Sequence, residues 1–486
     1  MQVISSSTQD DGESCGRGIL SKETIGEGEL LLTIPLDLCL TRAVAQVVKV
    51  SLIVVNSFNS RLHLLCNQEI LGKAIIPDYM DEYIAIAVLL MREKLKGEQS
   101  RWKPYLDILP SKEEVNPAYI WSDEELEMLR GSPTYPAAKS LRRKIEAEFE
   151  ELQSTTFSRN SEQFPSHLYS FDLFLWSFVI LFSRATRLPS KLSGEELALV
   201  PYADLLNHSP YSSTYIDSQT AWGISSFLNK RQEVAVYSDR SYKKFEQVFI
   251  SYGEKSNSDL LLLYGFALER NPFNAVDITV GLSKEDPLYA AKRAYLAKSG
   301  RNALSVRFPL QQSRYPSELV DFLRLLLVEA KDIGTQPIER IDFNEPISPS
   351  LERRVLMTII NICESYLERY PTTLSDDENF IMNRSVVSTL TRQQRMSVKL
   401  RASEKRILNL TIEAVNEELS KMPSVTNLEN EISPVPAGRS FDTLLNAPKI
   451  GTTRGPSDWV ENRLLSRGRS DINADNVVER RRKRRE

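Results

Sequence analysis

Cysteine and histidine are scarce, with four of the first and three of the second in 486 residues. Cys15, Cys39, Cys66 and Cys363 make no Cys-x-x-Cys pair and no cluster with His63, His167 or His208, which argues against a structural zinc site. Nor do they form a disulfide framework, so the chain suits a reducing compartment such as cytosol, nucleus or plastid stroma. No apolar run reaches the ~18 residues of a membrane span. The apolar patch Val47 to Val55 is broken by Lys49 and Ser51 and is too short. A strong charge of one sign is also missing: 61 Lys and Arg against 65 Asp and Glu leave a net charge of -4. Nothing in that balance points to nucleic acid as the main partner. The first 15 residues carry Asp10, Asp11 and Glu13 but no Lys or Arg, unlike an organellar transit peptide, so this stretch gives no support for import.

What is present is enough apolar material, 41% of the chain, for two or three domains with their own cores. Residues 1–15 read as a disordered N-terminus. Between Gly16 and Thr41, glycine-bearing turns flank the apolar run Leu30 to Ile34, which ends at Pro35; this reads as a β-hairpin-like start. The period then changes. Ile84, Val88, Met91 and Leu95 fall on one face of a helix, and further helices are expected over Ser122–Arg130, Ala138–Leu152 and Phe171–Phe182. Ser122 with Glu125 has the spacing of a capping box. Short strands return at Val234–Tyr237 and Val248–Ser251. A strand-rich unit is thus split by a helical insert. Beyond about residue 280 the pattern is helical: a helix capped near Pro316-Ser317, one over Leu351–Tyr370, and one carrying Leu408, Ile412, Val415 and Leu419. From about Met422 polar and charged residues dominate, and the chain ends in a basic run, Arg480 to Arg485; this reads as a disordered tail, solvated rather than a nucleic-acid domain. Val47–Gln68 has poor helical periodicity and looks foreign to its surroundings.

Three local patterns carry chemistry. Gly16-Arg17-Gly18 precedes a strand and lets the backbone approach a ligand closely, although glycines so spaced are commonly just a turn. Asp204-Leu205-Leu206-Asn207-His208-Ser209 packs polar groups behind an apolar approach, and a buried Asn can fix a polar ligand in one orientation. A lone histidine there is more often a satisfied structural residue than a base. Ile250-Ser251-Tyr252-Gly253 is followed by Leu260 to Leu263 and Tyr264-Gly265-Phe266, with both tyrosines open to the plainer reading of buried rings with satisfied hydroxyls.

In this order, the three patterns resemble the SET-domain methyltransferases, and among them the plant Rubisco large-subunit lysine methyltransferase family. The resemblance runs from Gly16 to about Leu419. It implies an α+β chain: a β-rich SET fold at 16–270 with a helical insert at about 60–190, then an all-α substrate-binding domain at 275–425 and a tail at 426–486. It implies S-adenosyl-L-methionine held by Cys15, Gly16 and Arg17 through their backbone, and by Arg184, Asn207, His208 and Tyr264. Tyr252 is the implied catalytic residue beside the methyl-transfer channel, and Arg184, Asp204, Tyr215, Tyr252 and Tyr264 are the implied substrate contacts. No metal is implied. The partner is a folded protein docked on the helical domain, the chain is expected to act as a monomer, and the place is the chloroplast, with cytosol or nucleus as the alternative. The family usually has glutamate where Cys15 stands and glycine where Phe245 stands, so a turn needing positive φ at 245 is strained here. Two other readings stay open: a catalytically silent SET-fold scaffold, and a protein-histidine methyltransferase of the same superfamily.

Overall fold

The computed structural model of the chain describes residues 1–8, 14–46, 71–190, 194–220, 232–299, 304–312 and 315–422. Val47–Gln68 and the basic tail, both singled out in the sequence, lie outside the described residues. The chain forms two compact units. One holds Met1–Ile120, Ser140–Glu254 and Leu263–Gly265; the other holds Trp121–Lys139, Lys255–Leu262 and the chain from Phe266 on.

The first unit is built on small sheets. β1 (Gln2–Thr8) pairs antiparallel with β2 (Ser14–Leu20). β3 (Leu30–Pro35) pairs with β9 (Gln232–Tyr237), which also takes β8 (Tyr215–Thr220). β4 (Leu40–Thr41) and β5 (Thr186–Ser190) flank β6 (Gly194–Leu199), and β7 (Asn207–His208) runs parallel to β10 (Phe249–Ile250). Two expectations change here. Residues 1–15 are not wholly disordered, because β1 satisfies its backbone groups on β2. The glycine-bearing start is also not one hairpin: β2 and β3 sit in different sheets, each with a partner that local sequence does not specify.

Two helices of the insert support these sheets. Glu82–Lys96 starts on Asp81, whose carboxylate accepts from the Tyr83 and Ile84 N–H groups, and it stops at Gly97 with φ +53°. The expected stripe is only part of what it buries: every residue from Tyr83 to Met91 is enclosed, while Leu95 is exposed. Phe171–Arg184, capped by Ser170, lines up Phe174, Phe178 and Phe182 four residues apart in the core. Their rings meet at 4.9 and 5.3 Å, and Phe182 meets Tyr83 edge-on at 5.5 Å. The last residue of this helix is Arg184.

The turn before β10 carries the strain expected of it. Phe245 has φ +66° and an exposed ring, and its N–H donates to the Ser21 carbonyl at 2.8 Å. A left-handed conformation costs an L-residue roughly 1–2 kcal/mol, part of which glycine returns as unfolded-chain entropy. Phe245→Gly is therefore expected to raise stability by about 1 kcal/mol, seen as a higher urea midpoint at unchanged slope. A midpoint at or below that of the wild type removes this account of the turn.

The second unit is mainly helical. Ser317–Leu327, Pro349–Leu367 and Arg392–Lys421 enclose a core that includes Leu319, Phe322, Ile359, Ile362, Leu408 and Val415. The first of these begins on Pro316 with no side-chain cap, so the expected cap is absent. It is also not all helix: β11 (Ala275–Gly281) and β12 (Ser305–Gln311) form an antiparallel ribbon whose Val276, Ile278, Val280, Phe308 and Leu310 are buried in the same core. Trp121–Lys139, read from sequence as insert, belongs to this unit. Its Ser122–Glu125 capping box is formed, and its Ser132 hydroxyl donates to Glu404 Oε1 at 2.9 Å.

Glu404 is buried, and Tyr370 donates to its other carboxylate oxygen at 2.9 Å. Burial pushes its carboxyl up to about 7 in spite of those donors. The folded value lies above the unfolded one of about 4.3, so the contribution to stability is complete below that pH and is lost as pH rises towards 7. Glu404→Gln is expected to gain on the wild type by about 3 kcal/mol between pH 4 and pH 8. Parallel wild-type and variant melting curves across that range contradict this.

Candidate active site

Three segments far apart in sequence meet in the first unit. In β2, Gly16 has φ +79° with no heavy atom within 4 Å of where a Cβ would stand, so there is open room beside the backbone. Cys15 lies in the same strand. The next carbonyl, Arg17, accepts a hydrogen bond from Asn207 Nδ2 at 3.1 Å.

Asn207 and His208 form β7, which sets His208 opposite Ile250 of β10. The Tyr252 N–H just beyond β10 donates to His208 Nδ1 at 3.1 Å, and the Tyr252 hydroxyl donates to the Leu206 carbonyl at 3.0 Å. An Nδ1 that accepts a backbone N–H carries no proton. Burial pushes the imidazole down to about 4, the Ile250 backbone working the other way, so His208 is neutral at physiological pH. Its ring stacks on Tyr252 at 5.0 Å, and Tyr252 stacks in turn on Tyr264 at 5.0 Å. Tyr264 ends the wide helical turn Leu260–Tyr264, and Gly265 follows with φ +77°.

A second group of side chains lies around Asp204, in the one-turn helix Ala203–Leu205 that leads into β7. Arg184 Nη1 donates to the Asp204 carbonyl at 2.7 Å and stands 3.6 Å from its Oδ2. The same Oδ2 accepts from the Tyr105 hydroxyl at 2.6 Å. Burial raises the Asp204 carboxyl, opposed first by the Arg184 charge and then by the Tyr105 hydrogen bond. Asp204 Oδ1 and Arg184 Nε are buried without a hydrogen-bond partner. No sequence signal marks Tyr105. It follows Pro104 in a four-residue helix, and no spacing links it to Asp204.

Of the residues singled out in sequence, Gly16, Arg17, Arg184, Asp204, Asn207, His208, Tyr252 and Tyr264 all lie in this one unit. Tyr215 begins β8, where its backbone pairs with Tyr237; its side chain is outside the described part. Among the described residues no group of three or more His, Cys, Asp or Glu could hold a metal, and no helix is long and apolar enough to cross a membrane.

Residues 16–253 match the family described as SET domain, and residues 283–408 match the family described as Rubisco LSMT substrate-binding. The chain belongs to the SET-domain methyltransferases, in the branch that carries the Rubisco LSMT substrate-binding domain. It is 28% identical over 403 residues to the chloroplastic [fructose-bisphosphate aldolase]-lysine N-methyltransferase of Arabidopsis thaliana, covering 81% of this chain and 76% of that one. The chloroplastic ribulose-1,5-bisphosphate carboxylase/oxygenase large subunit N-methyltransferase of Nicotiana tabacum is likewise 28% identical, with 81% and 74% covered. An actin-histidine N-methyltransferase of Gallus gallus is 27% identical over 419 residues, 83% of this chain and 64% of that one. A solved structure of Rubisco LSMT bound to AdoMet superposes with a TM-score of 0.65 at 25% identity, covering 86% of this chain and 88% of that one.

As a SET-domain methyltransferase the chain uses S-adenosylmethionine. Its residues fit that group. The open room at Gly16 admits a close backbone approach, the Arg184 guanidinium suits a carboxylate, and the unpartnered Arg184 Nε is a donor left over by the fold.

Proposed function

We propose that this chain is a protein-lysine N-methyltransferase that acts on a folded protein in the chloroplast, docked through the helical unit at about 275–425, and that it works as a monomer. When bound, S-adenosylmethionine supplies an electrophilic methyl group to the side-chain amine. Arg184 and Asn207 hold the cofactor together with the backbone of Cys15, Gly16 and Arg17. Asp204, Tyr215, Tyr252 and Tyr264 meet the lysine.

The observation that carries this reading is the committed proton of Tyr252. Its hydroxyl donates to the Leu206 carbonyl at 3.0 Å, which leaves only lone pairs for the incoming amine. Such an oxygen accepts an amine N–H and so turns the nitrogen lone pair away from itself, which is the orientation that in-line displacement needs. The amine must arrive neutral, and an apolar aromatic channel lowers a lysine pKa by desolvation. His208 is no base for this step, since burial lowers its pKa to about 4, far below that of a lysine amine, and its Nδ1 holds the Tyr252 N–H. The mechanism therefore asks for positioning and desolvation rather than a dedicated general base.

Isothermal titration of S-adenosylmethionine tests the cofactor site. The wild type is expected to bind and Asn207→Ala to bind at least tenfold more weakly, since it loses the tie to the Arg17 carbonyl. Transfer of a labelled methyl group into stromal protein, followed by amino-acid analysis, then tests the acceptor. Label in lysine supports the reading, label in histidine replaces it with the histidine alternative, and a folded wild type that binds no cofactor leaves the silent scaffold.

A further inference from the structure

Tyr105 is a buried side chain that touches Asp204 and has no part in the mechanism above. Its ring is buried, and its hydroxyl sits 2.6 Å from Asp204 Oδ2. That contact is the shortest one the carboxylate makes, because the Arg184 guanidinium, 3.6 Å from the same oxygen, spends its Nη1 hydrogen bond on the Asp204 main-chain carbonyl at 2.7 Å. The remaining oxygen, Oδ1, has no partner. Tyr105 thus makes the one side-chain hydrogen bond to Oδ2 found among the described residues.

We propose that Tyr105 is a positioning residue for methyl transfer: by donating to Oδ2 it turns Asp204 Oδ1 towards the amine of the incoming lysine and keeps the carboxylate from pairing fully with Arg184, which stays available to the cofactor. This rests on the roles given above to Asp204 and Arg184. The groups that act on the Asp204 carboxyl are Arg184, Tyr105 and the Asp204 main-chain N–H, with Cys39 near Tyr105. Burial raises the Asp204 carboxyl, and the hydrogen bond from Tyr105 opposes that rise by favouring the ionised form. Removing the bond leaves only the Arg184 guanidinium and the Asp204 main-chain N–H to oppose burial, so the carboxylate takes up a proton at higher pH.

The test uses Tyr105→Phe, which keeps the ring and its packing, beside wild type and Asp204→Asn. The carboxyl signals of protein labelled with 13C at aspartate Cγ are followed from pH 4 to 8, with Asp204 assigned by its disappearance in Asp204→Asn. The Asp204 midpoint is expected to rise by about one pH unit in Tyr105→Phe. The acid limb of methyl transfer from tritiated S-adenosylmethionine into stromal protein is expected to move up with it, while cofactor affinity at pH 8 stays within about threefold, a hydrogen bond's worth or less.

An unmoved carboxyl midpoint overturns the proposal, and so does a midpoint that moves while the acid limb stays in place, since Tyr105 is then only structural. If the wild type neither binds S-adenosylmethionine nor transfers a methyl group, the functional reading fails and the positioning role goes with it. An active wild type with an unaltered Tyr105→Phe profile removes the positioning role alone.

Discussion

Tyr252→Phe is expected to lower the turnover number for methyl transfer by about 10²–10³-fold, the range seen when one preorganised polar contact at a reacting centre is removed. The change is confined to the hydroxyl. Phenylalanine can still lie between His208 and Tyr264, each 5.0 Å from the Tyr252 ring, and the main-chain N–H that donates to His208 Nδ1 is retained. What disappears is the oxygen held by the Leu206 carbonyl, and with it the fixed acceptor for the amine N–H. Cofactor affinity should stay within a few-fold of wild type, so titration and turnover separate. Turnover within about threefold of wild type would mean that Tyr252 only packs, as the plainer reading of the sequence allowed.

Gly265→Ala is expected to destabilise the first unit by about 3–5 kcal/mol, combining the left-handed penalty with overpacking against main chain. Gly265 has φ +77°, and a Cβ there falls 2.0 Å from the Val115 carbonyl oxygen and 2.8 Å from the Asn116 carbonyl group. No rotamer relieves such a clash, because the obstructing atoms are backbone. They are also fixed in place, since Asn116 is left-handed at φ 58° and its N–H closes the preceding helical turn on Lys112 at 2.7 Å. The residue before Gly265 is Tyr264, so a shifted backbone should disturb the ring stack as well and weaken cofactor binding. Gly16→Ala is the control. Its φ of +79° is nearly the same but its Cβ meets nothing within 4 Å, so it should cost only about 1–2 kcal/mol. Equal losses by chemical denaturation would mean that backbone conformation, and not the contact with Val115, sets the cost.

Much of this arrangement is legible in the sequence where the signal is local. The capping box at Ser122 and Glu125 closes as its spacing suggests, and the helices at Glu82–Lys96, Phe171–Arg184 and Arg392–Lys421 form where period and caps agree. Strand partners are a different matter. β2 needs β1, a Ser-rich segment with no alternation to mark it, and β3 needs β9 some two hundred residues away. The ribbon of β11 and β12 escaped because helical periodicity on its C-terminal side dominates that region. In the site, resemblance to a family supplied Asn207, His208 and Tyr252, yet only the structure supplies what they touch. Tyr105 left no trace at all: it is separated from Asp204 by 99 residues, and a single tyrosine has no pattern to announce it.

The parallel pairing of β7 with β10 also bears on how the chain is made. Asn207 must wait for Phe249 and His208 for Ile250, and Arg17 leaves the ribosome 190 residues ahead of the amide that binds its carbonyl. At translation speeds of roughly 5–20 residues per second that is a wait of about ten to forty seconds. Contacts so distant in sequence form late and slowly. On the proposed assignment the cofactor site is incomplete until Tyr264 has emerged, so S-adenosylmethionine does not template the fold as it grows. What it can do is retard unfolding once the last strand is in place, so cellular supply of the methyl donor should govern how long the finished protein survives rather than how quickly it matures.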